Sequence, residues 1–163
     1  TQGYSSAASD VYKRQVHSAL GHGLRPLICI GDSAEEKRWQ VSRESVVRQM
    51  KIALYGLSHQ QALRTLIAYE PVWAIGEHGT PASPQEAGVI HQALRQALCE
   101  RFGHETGTRI PLLYGGSVTL QNAVELLRQQ EINGLFIGRA AWDAQGYCDI
   151  VQRVTQEFIL QAQ

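Results

Sequence analysis

A single carboxylate stands where an apolar run stops. Leu66-Ile67-Ala68-Tyr69 has the length and composition of a strand buried on both faces. Glu70 follows it at once, and Pro71 cannot continue a hydrogen-bonded ladder, so Glu70 falls at the strand's C-terminal tip. A loop containing glycine and proline then runs to about Pro84. In parallel α/β sheets ligands bind at the C-terminal strand ends. A carboxylate in that place, beneath a loop, is a candidate general base. The competing reading, a solvated surface glutamate, holds for most glutamates. Here the apolar lead-in, the proline stop and the loop argue against it.

Two further stretches could hold an anion. Tyr114-Gly115-Gly116-Ser117-Val118 follows an apolar strand and opens a helical segment. Small residues let backbone approach a ligand, and N–H groups at a helix start attract negative charge. Gly-Gly-Ser alone is equally well read as a tight turn. Gly138-Arg139-Ala140-Ala141 follows the last strand. The Arg139 guanidinium could add a charged donor to an anion, or be a surface arginine on a loop. Gly76, in the loop after Glu70, can offer a backbone N–H or be an ordinary loop glycine.

The elements that must position these residues read as strands alternating with helices. Val16 to Gly23 looks like a helix end closed by glycine. Pro26 to Gly31 is an apolar strand containing Cys29, which reads as a packed core thiol. Ala34 to Tyr55 is expected as one helix, with Val46, Val47, Met50, Ala53 and Leu54 on its apolar side. Ser58 begins a short helical segment, and Arg64 to Tyr69 is the next strand. Ser83 caps a long helix with Pro84 at its first position, running to Phe102. Ile110 to Tyr114 is a strand, Thr119 caps a helix to about Gln130, Gly134 to Gly138 is the last strand, and a final helix spans about Tyr147 to Leu160. Four strand-then-helix units without adjacent hairpins indicate an α/β fold with a parallel sheet and right-handed crossovers.

Glu70-Pro71-Val72-Trp73-Ala74-Ile75-Gly76, the phosphate-loop-like Tyr114 to Val118 and the Gly138 turn, in this order, resemble the triosephosphate isomerase family. The resemblance runs from about Val16 to the C-terminus. It implies the C-terminal four βα units, strands five to eight, of a TIM (β/α)8 barrel, a fold that takes roughly 250 residues when whole. Residues 1–15 match nothing in the family, and are read as a foreign or disordered segment beside a half-barrel over 16–163.

The resemblance implies interconversion of dihydroxyacetone phosphate and glyceraldehyde 3-phosphate through an enediolate, with Glu70 as base. Gly76, Gly116, Ser117, Gly138 and Arg139 would hold the substrate phosphate, and Pro71, Val72 and Trp73 would form a lid hinge. It implies no metal, no organic cofactor, a small phosphorylated sugar as partner, and a homodimer for a full-length member. Two departures stand out. Arg139 takes the place of the second glycine of a usual Gly-Gly pair, so that either its N–H still serves the phosphate or the pocket is reshaped. The lid, Glu77 to Ser83, departs from the usual Thr-Gly-Lys-Thr-Ala. With Ala140-Ala141-Trp142, these changes resemble a divergent branch that acts on four-carbon ketose phosphates such as erythrulose phosphate. The family's other catalytic groups, an Asn, a Lys and a His, lie on strands without a counterpart here, so the chain by itself is expected to be inactive. A non-catalytic half-barrel phosphate-binding module is the alternative from another class. The intact Glu70 to Trp73 signature argues against it.

Composition narrows the rest. The 163 residues are 44% hydrophobic, enough for a globular core, and carry no net charge. Neutrality argues against nucleic acid as a partner. No apolar run approaches a membrane span, and no signal peptide opens the chain. Cys29, Cys99 and Cys148 are odd in number and lack metal-ligand spacing, which fits reduced thiols in the cytoplasm. A doubly wound dinucleotide-binding sheet is disfavoured, because no glycine fingerprint follows any strand.

Overall fold

The computed structural model describes residues 2–75 and 79–158. Its centre is one parallel sheet of four strands in sequential order, β1 (Leu27–Ile30), β2 (Leu66–Tyr69), β3 (Leu112–Tyr114) and β4 (Gly134–Leu135). Helices α1 (Gln2–Gly21), α2 (Ala34–Arg38), α3 (Ser42–Ala53), α4 (His59–Ala62), α5 (Pro84–Gly107), α6 (Ala123–Leu127) and α7 (Ala144–Phe158) make up the rest, with 3-10 turns at Val72–Ala74 and Arg139–Ala141.

The strands carry the expected alternation of side chains between faces. Ile28 aligns with Ile67, and Ile67 with Leu112; Ile30 aligns with Tyr69, and Tyr69 with Tyr114. All six are buried, together with Val46 and Met50 of α3 and Leu94 and Leu98 of α5. Full burial of one such Leu or Ile contributes about 1.5–3 kcal/mol, so these two rows and the helices over them hold the sheet. The opposite face carries Leu27, Cys29, Ala68, Leu113 and Phe136. Leu27 and Phe136 remain 38% and 36% exposed, and Cys29 is exposed as well. Cys29 is therefore not the packed thiol its sequence context suggested: the period of two turns it to the less covered face.

Several boundaries differ from the sequence expectations for local reasons. The helix expected over Ala34–Tyr55 is two helices. Ser33 and Glu36 form a reciprocal capping box on the five-residue α2, and Gln40 then adopts a left-handed φ of 59° before α3 begins. Helix α5 starts as expected, with Ser83 accepting from the Glu86 N–H and Pro84 in the first turn; it passes Phe102 through a break at Gly103 and ends at Gly107. The helix expected from Thr119 is confined to Ala123–Leu127. The last strand pairs only over Gly134–Leu135, although the Phe136 N–H still donates to the Tyr114 carbonyl at 2.8 Å. Helix α7 begins at Ala144, and Leu160 lies outside the described residues. Residues 2–15, expected to stand apart, are helical and continuous with Val16 and Leu20, both core residues. Farther along α1, His17 bonds the Tyr55 carbonyl through Nε2 at 2.8 Å.

A buried arginine ties the far end of the sheet together. Arg95 of α5 donates to Glu131 at 2.9 Å, to the Ile110 carbonyl at 2.8 Å and to Asn133 at 2.7 Å. The same Asn133 oxygen accepts from the Leu112 N–H. A guanidinium with this many acceptors is satisfied rather than stranded. It fixes α5 to the entries of β3 and β4.

Candidate functional site

Glu70 sits at the C-terminal tip of β2, its N–H still donating to the Ile30 carbonyl at 2.8 Å. Its side chain is half-buried. Extending the strand register by one residue places Gly31, Glu70, Gly115 and Phe136 in one cross-strand row, on the face away from the main helices. Two of those neighbours must be glycine. A Cβ on Gly31 would lie 2.0 Å from the Glu70 carbonyl oxygen, and one on Gly115 would lie 2.7 Å from Glu70 Cγ. Gly31 thus leaves room for the Glu70 backbone, and Gly115 for the Glu70 side chain. The Phe136 ring closes the other side, 3.1 Å from that same Gly115 Cβ position.

The carboxylate opens into a cavity of about 630 Å³ whose lining includes Glu70, Ile75, Ser117, Gly138, Arg139 and Trp142. Four of the residues singled out in the sequence, from three different strand ends, are therefore brought together. Gly116 is close by but does not line the cavity. It packs against the Tyr114 phenol, where a Cβ would come within 2.4 Å of the hydroxyl oxygen, and against Pro71. Gly76 lies outside the described residues. Gly138 has open space where a side chain would go, and Arg139 begins the 3-10 turn beside it.

The loop after β3 is held rather than loose. Ser117 takes a left-handed φ of 49°, a conformation that costs a non-glycine residue about 1–2 kcal/mol. Its hydroxyl donates to the Ala74 carbonyl, and Asn122 Nδ2 donates to the Ser117 carbonyl at 3.1 Å. The first of these bonds ties the turn after β3 to the turn after β2.

The segment Pro71-Val72-Trp73 is anchored on its other side by Asp32, a fully buried carboxylate just past β1. Asp32 accepts from the Tyr69 hydroxyl at 2.8 Å, the Ser42 hydroxyl at 2.6 Å and Trp73 Nε1 at 3.0 Å. Its carbonyl accepts from the Val72 N–H at 3.0 Å. Burial, followed by the Asp32 bond, drives the Tyr69 phenol well above its ordinary range. Behind it, Tyr69, His91 and Tyr114 form a three-ring cluster with centroids about 6 Å apart. Burial lowers His91 to about 4, so its ring is neutral; Nδ1 contacts the Glu131 carbonyl and is the protonated nitrogen. Cys29 lies beside Glu70 on the sheet face. Surrounding protein, and then the adjacent carboxylate, push its thiol up to about 11, so it stays protonated at neutral pH.

Sequence reasoning missed Gly115 as a space-maker for Glu70, Phe136 as a wall of the cavity, and Asp32 as the anchor of Trp73. Of these only Gly115, directly after β3, carried a signal in the sequence, through its small size. Among the described residues no group of His, Cys, Asp and Glu side chains is arranged to hold a metal ion, and no helix is long and apolar enough to cross a membrane.

Comparison with known proteins gives the arrangement a lineage. The family model described as triosephosphate isomerase matches residues 3–154. An L-erythrulose-1-phosphate isomerase of Mycolicibacterium smegmatis is 48% identical over 139 residues, covering 85% of this chain and 50% of the relative. A protein of the same name from Rhizobium meliloti is 44% identical over 142 residues, again 85% of this chain and 53% of the relative. A triosephosphate isomerase of Bifidobacterium longum is 39% identical over 138 residues, 85% of this chain and 51% of the relative. The chain spans about half the length of the curated relatives it matches.

Proposed function

Because the chain belongs to the triosephosphate isomerase family, we propose that it carries the base and phosphate-holding part of an aldose–ketose isomerase acting on a short ketose phosphate, with a four-carbon substrate of the erythrulose phosphate type preferred. The observation that carries this reading is Glu70 in the lining of one cavity with Ser117, Gly138 and Arg139. Glu70 takes a proton from the carbon beside the substrate carbonyl, and an enediolate forms. The proton returns at the neighbouring carbon. Backbone and side-chain donors of the loops after β3 and β4 hold the phosphate, which fixes the reacting carbon against the carboxylate. Ser117, Gly138 and Arg139 are the holding residues, and Gly116 shapes the loop; Gly76 is assigned to the same phosphate on its motif alone. Pro71, Val72 and Trp73 form the hinge of the covering loop.

The four-carbon preference rests on two supports. The relatives named for erythrulose phosphate reach 48% and 44% identity, against 39% for the Bifidobacterium longum triosephosphate isomerase. Arg139 and Trp142 also sit in the cavity lining, beside open space at Gly138. Dihydroxyacetone phosphate is the second reading, supported by the match to the family as a whole. We also infer a cytoplasmic location and a homodimer for the whole enzyme, on the resemblance to the family alone. The test is turnover by the protein encoded in the reading frame that carries these residues, with four-carbon and three-carbon ketose phosphates. Glu70→Gln should lower kcat by about 10²–10⁴-fold with a much smaller change in KM. Unchanged turnover in that variant removes the assignment, and a higher kcat/KM for the three-carbon substrate reverses the preference.

A further inference from the structure

Lys37 sits in the last turn of α2, and its side chain reaches Trp73 in the segment that follows Glu70. Its Nζ lies 3.3 Å from the centroid of the Trp73 indole and 3.2 Å from Glu86 Oε1. The other Glu86 oxygen, Oε2, accepts from the Ser83 N–H and from the Ser83 hydroxyl, each at 2.9 Å. These bonds, with Lys37 contributing after them, hold the Glu86 carboxyl below its ordinary range. The indole is meanwhile held at its edge, where Nε1 donates to Asp32. Trp73 thus has a carboxylate on its N–H and an ammonium on its ring face. Lys37 joins the turn that leaves β2 to the first turn of α5.

We propose that Lys37 is a positioning residue: through the Trp73 indole it holds the 72–74 turn, and with it the Ala74 carbonyl that receives the Ser117 hydroxyl. The ion pair with Glu86 alone would not do this, since the two side chains are 41% and 52% exposed and pairs of that kind add little. The contact with the ring face is different. It needs a cation, it needs that ring, and it constrains the orientation of a residue in the turn itself. The link to substrate handling rests on the isomerase reading above, because Ser117 matters for chemistry only if its loop holds the phosphate. The clamp itself is a property of the chain and is testable without turnover.

The test uses the 163-residue chain labelled with 5-fluorotryptophan, with its resonances assigned by Trp→Phe replacement, together with hydrogen exchange by peptide. In Lys37→Met the Trp73 resonance should shift and broaden while those of Trp39 and Trp142 hold. Exchange over residues 70–75 should rise about fivefold, with residues 27–30 and 94–98 unchanged. Lys37→Arg should restore both, because a guanidinium can also lie on the indole face, and Glu86→Gln should leave the Trp73 resonance near its original place. An unmoved Trp73 resonance in Lys37→Met overturns the proposal. So does a Lys37→Arg variant as perturbed as Lys37→Met, or a rise in exchange that is equal in all three peptides, which would mark Lys37 as a general stabiliser. None of these outcomes bears on Glu70, whose role the turnover assay decides separately.

Discussion

The Trp73 indole donates to the Asp32 carboxylate at 3.0 Å across 41 residues of sequence. This bond connects the end of one strand to the turn that leaves the next. Asp32 is fully buried and accepts from Tyr69 and Ser42 as well. Replacing it by alanine leaves the buried Tyr69 hydroxyl without its acceptor. Asp32→Ala should therefore cost about 2–4 kcal/mol in urea unfolding of the chain. Asp32→Asn keeps one acceptor oxygen and should cost less. Equal stability of the alanine variant would show that the Asp32 bonds do not hold the turn.

His91 predicts an acid-sensitive fold. Its folded value of about 4 lies below the ordinary 6.5, so the unfolded chain binds the extra proton first as pH falls. The stability due to neutral His91 is fully present above pH 6.5, is lost progressively between about 6.5 and 4, and amounts to roughly 3 kcal/mol when that window has been crossed. Unfolding free energy measured across this window should fall for the parent chain and fall less steeply for His91→Gln. Parallel slopes for the two proteins would assign the acid sensitivity to other groups.

Gly115→Ala tests the cross-strand row. The added methyl would meet Glu70 Cγ at 2.7 Å, so the carboxylate must move. In the turnover assay described above, kcat should fall by about 10²-fold while the unfolding midpoint changes little. Full activity would mean that Glu70 is free to shift without consequence.

The less covered sheet face predicts association of the isolated chain. Leu27 and Phe136 lie on it with 38% and 36% exposure, and β1 and β4 each leave one edge unpaired within this sheet. Apolar surface and open edges of this kind favour self-association. Sedimentation of the 163-residue chain should give species larger than the monomer, and Leu27→Lys with Phe136→Lys should shift the distribution toward it. A compact parent monomer would contradict this.

Much of the site was legible along the chain because its signals are local. A strand's apolar run, the proline after Glu70, Ser83 before Pro84 and the glycines after β3 each act within a few residues, and each is where local chemistry placed it. The Glu70 to Gly76 and Tyr114 to Val118 motifs pointed to the family for the same reason: they are contiguous. The break between α2 and α3 was harder, because it turns on the end of one short helix at Trp39 and on the left-handed Gln40 after it. What the tertiary structure alone decided is adjacency across strands. Gly115 beside Glu70, Phe136 beyond it, Asp32 on Trp73 and Lys37 over the same indole are separated by 36 to 66 residues or joined through register. No periodicity encodes them. Parallel pairing sets which residues share a row, and only burial of the Ile28, Ile67 and Leu112 row under the helices determines which face that row turns away.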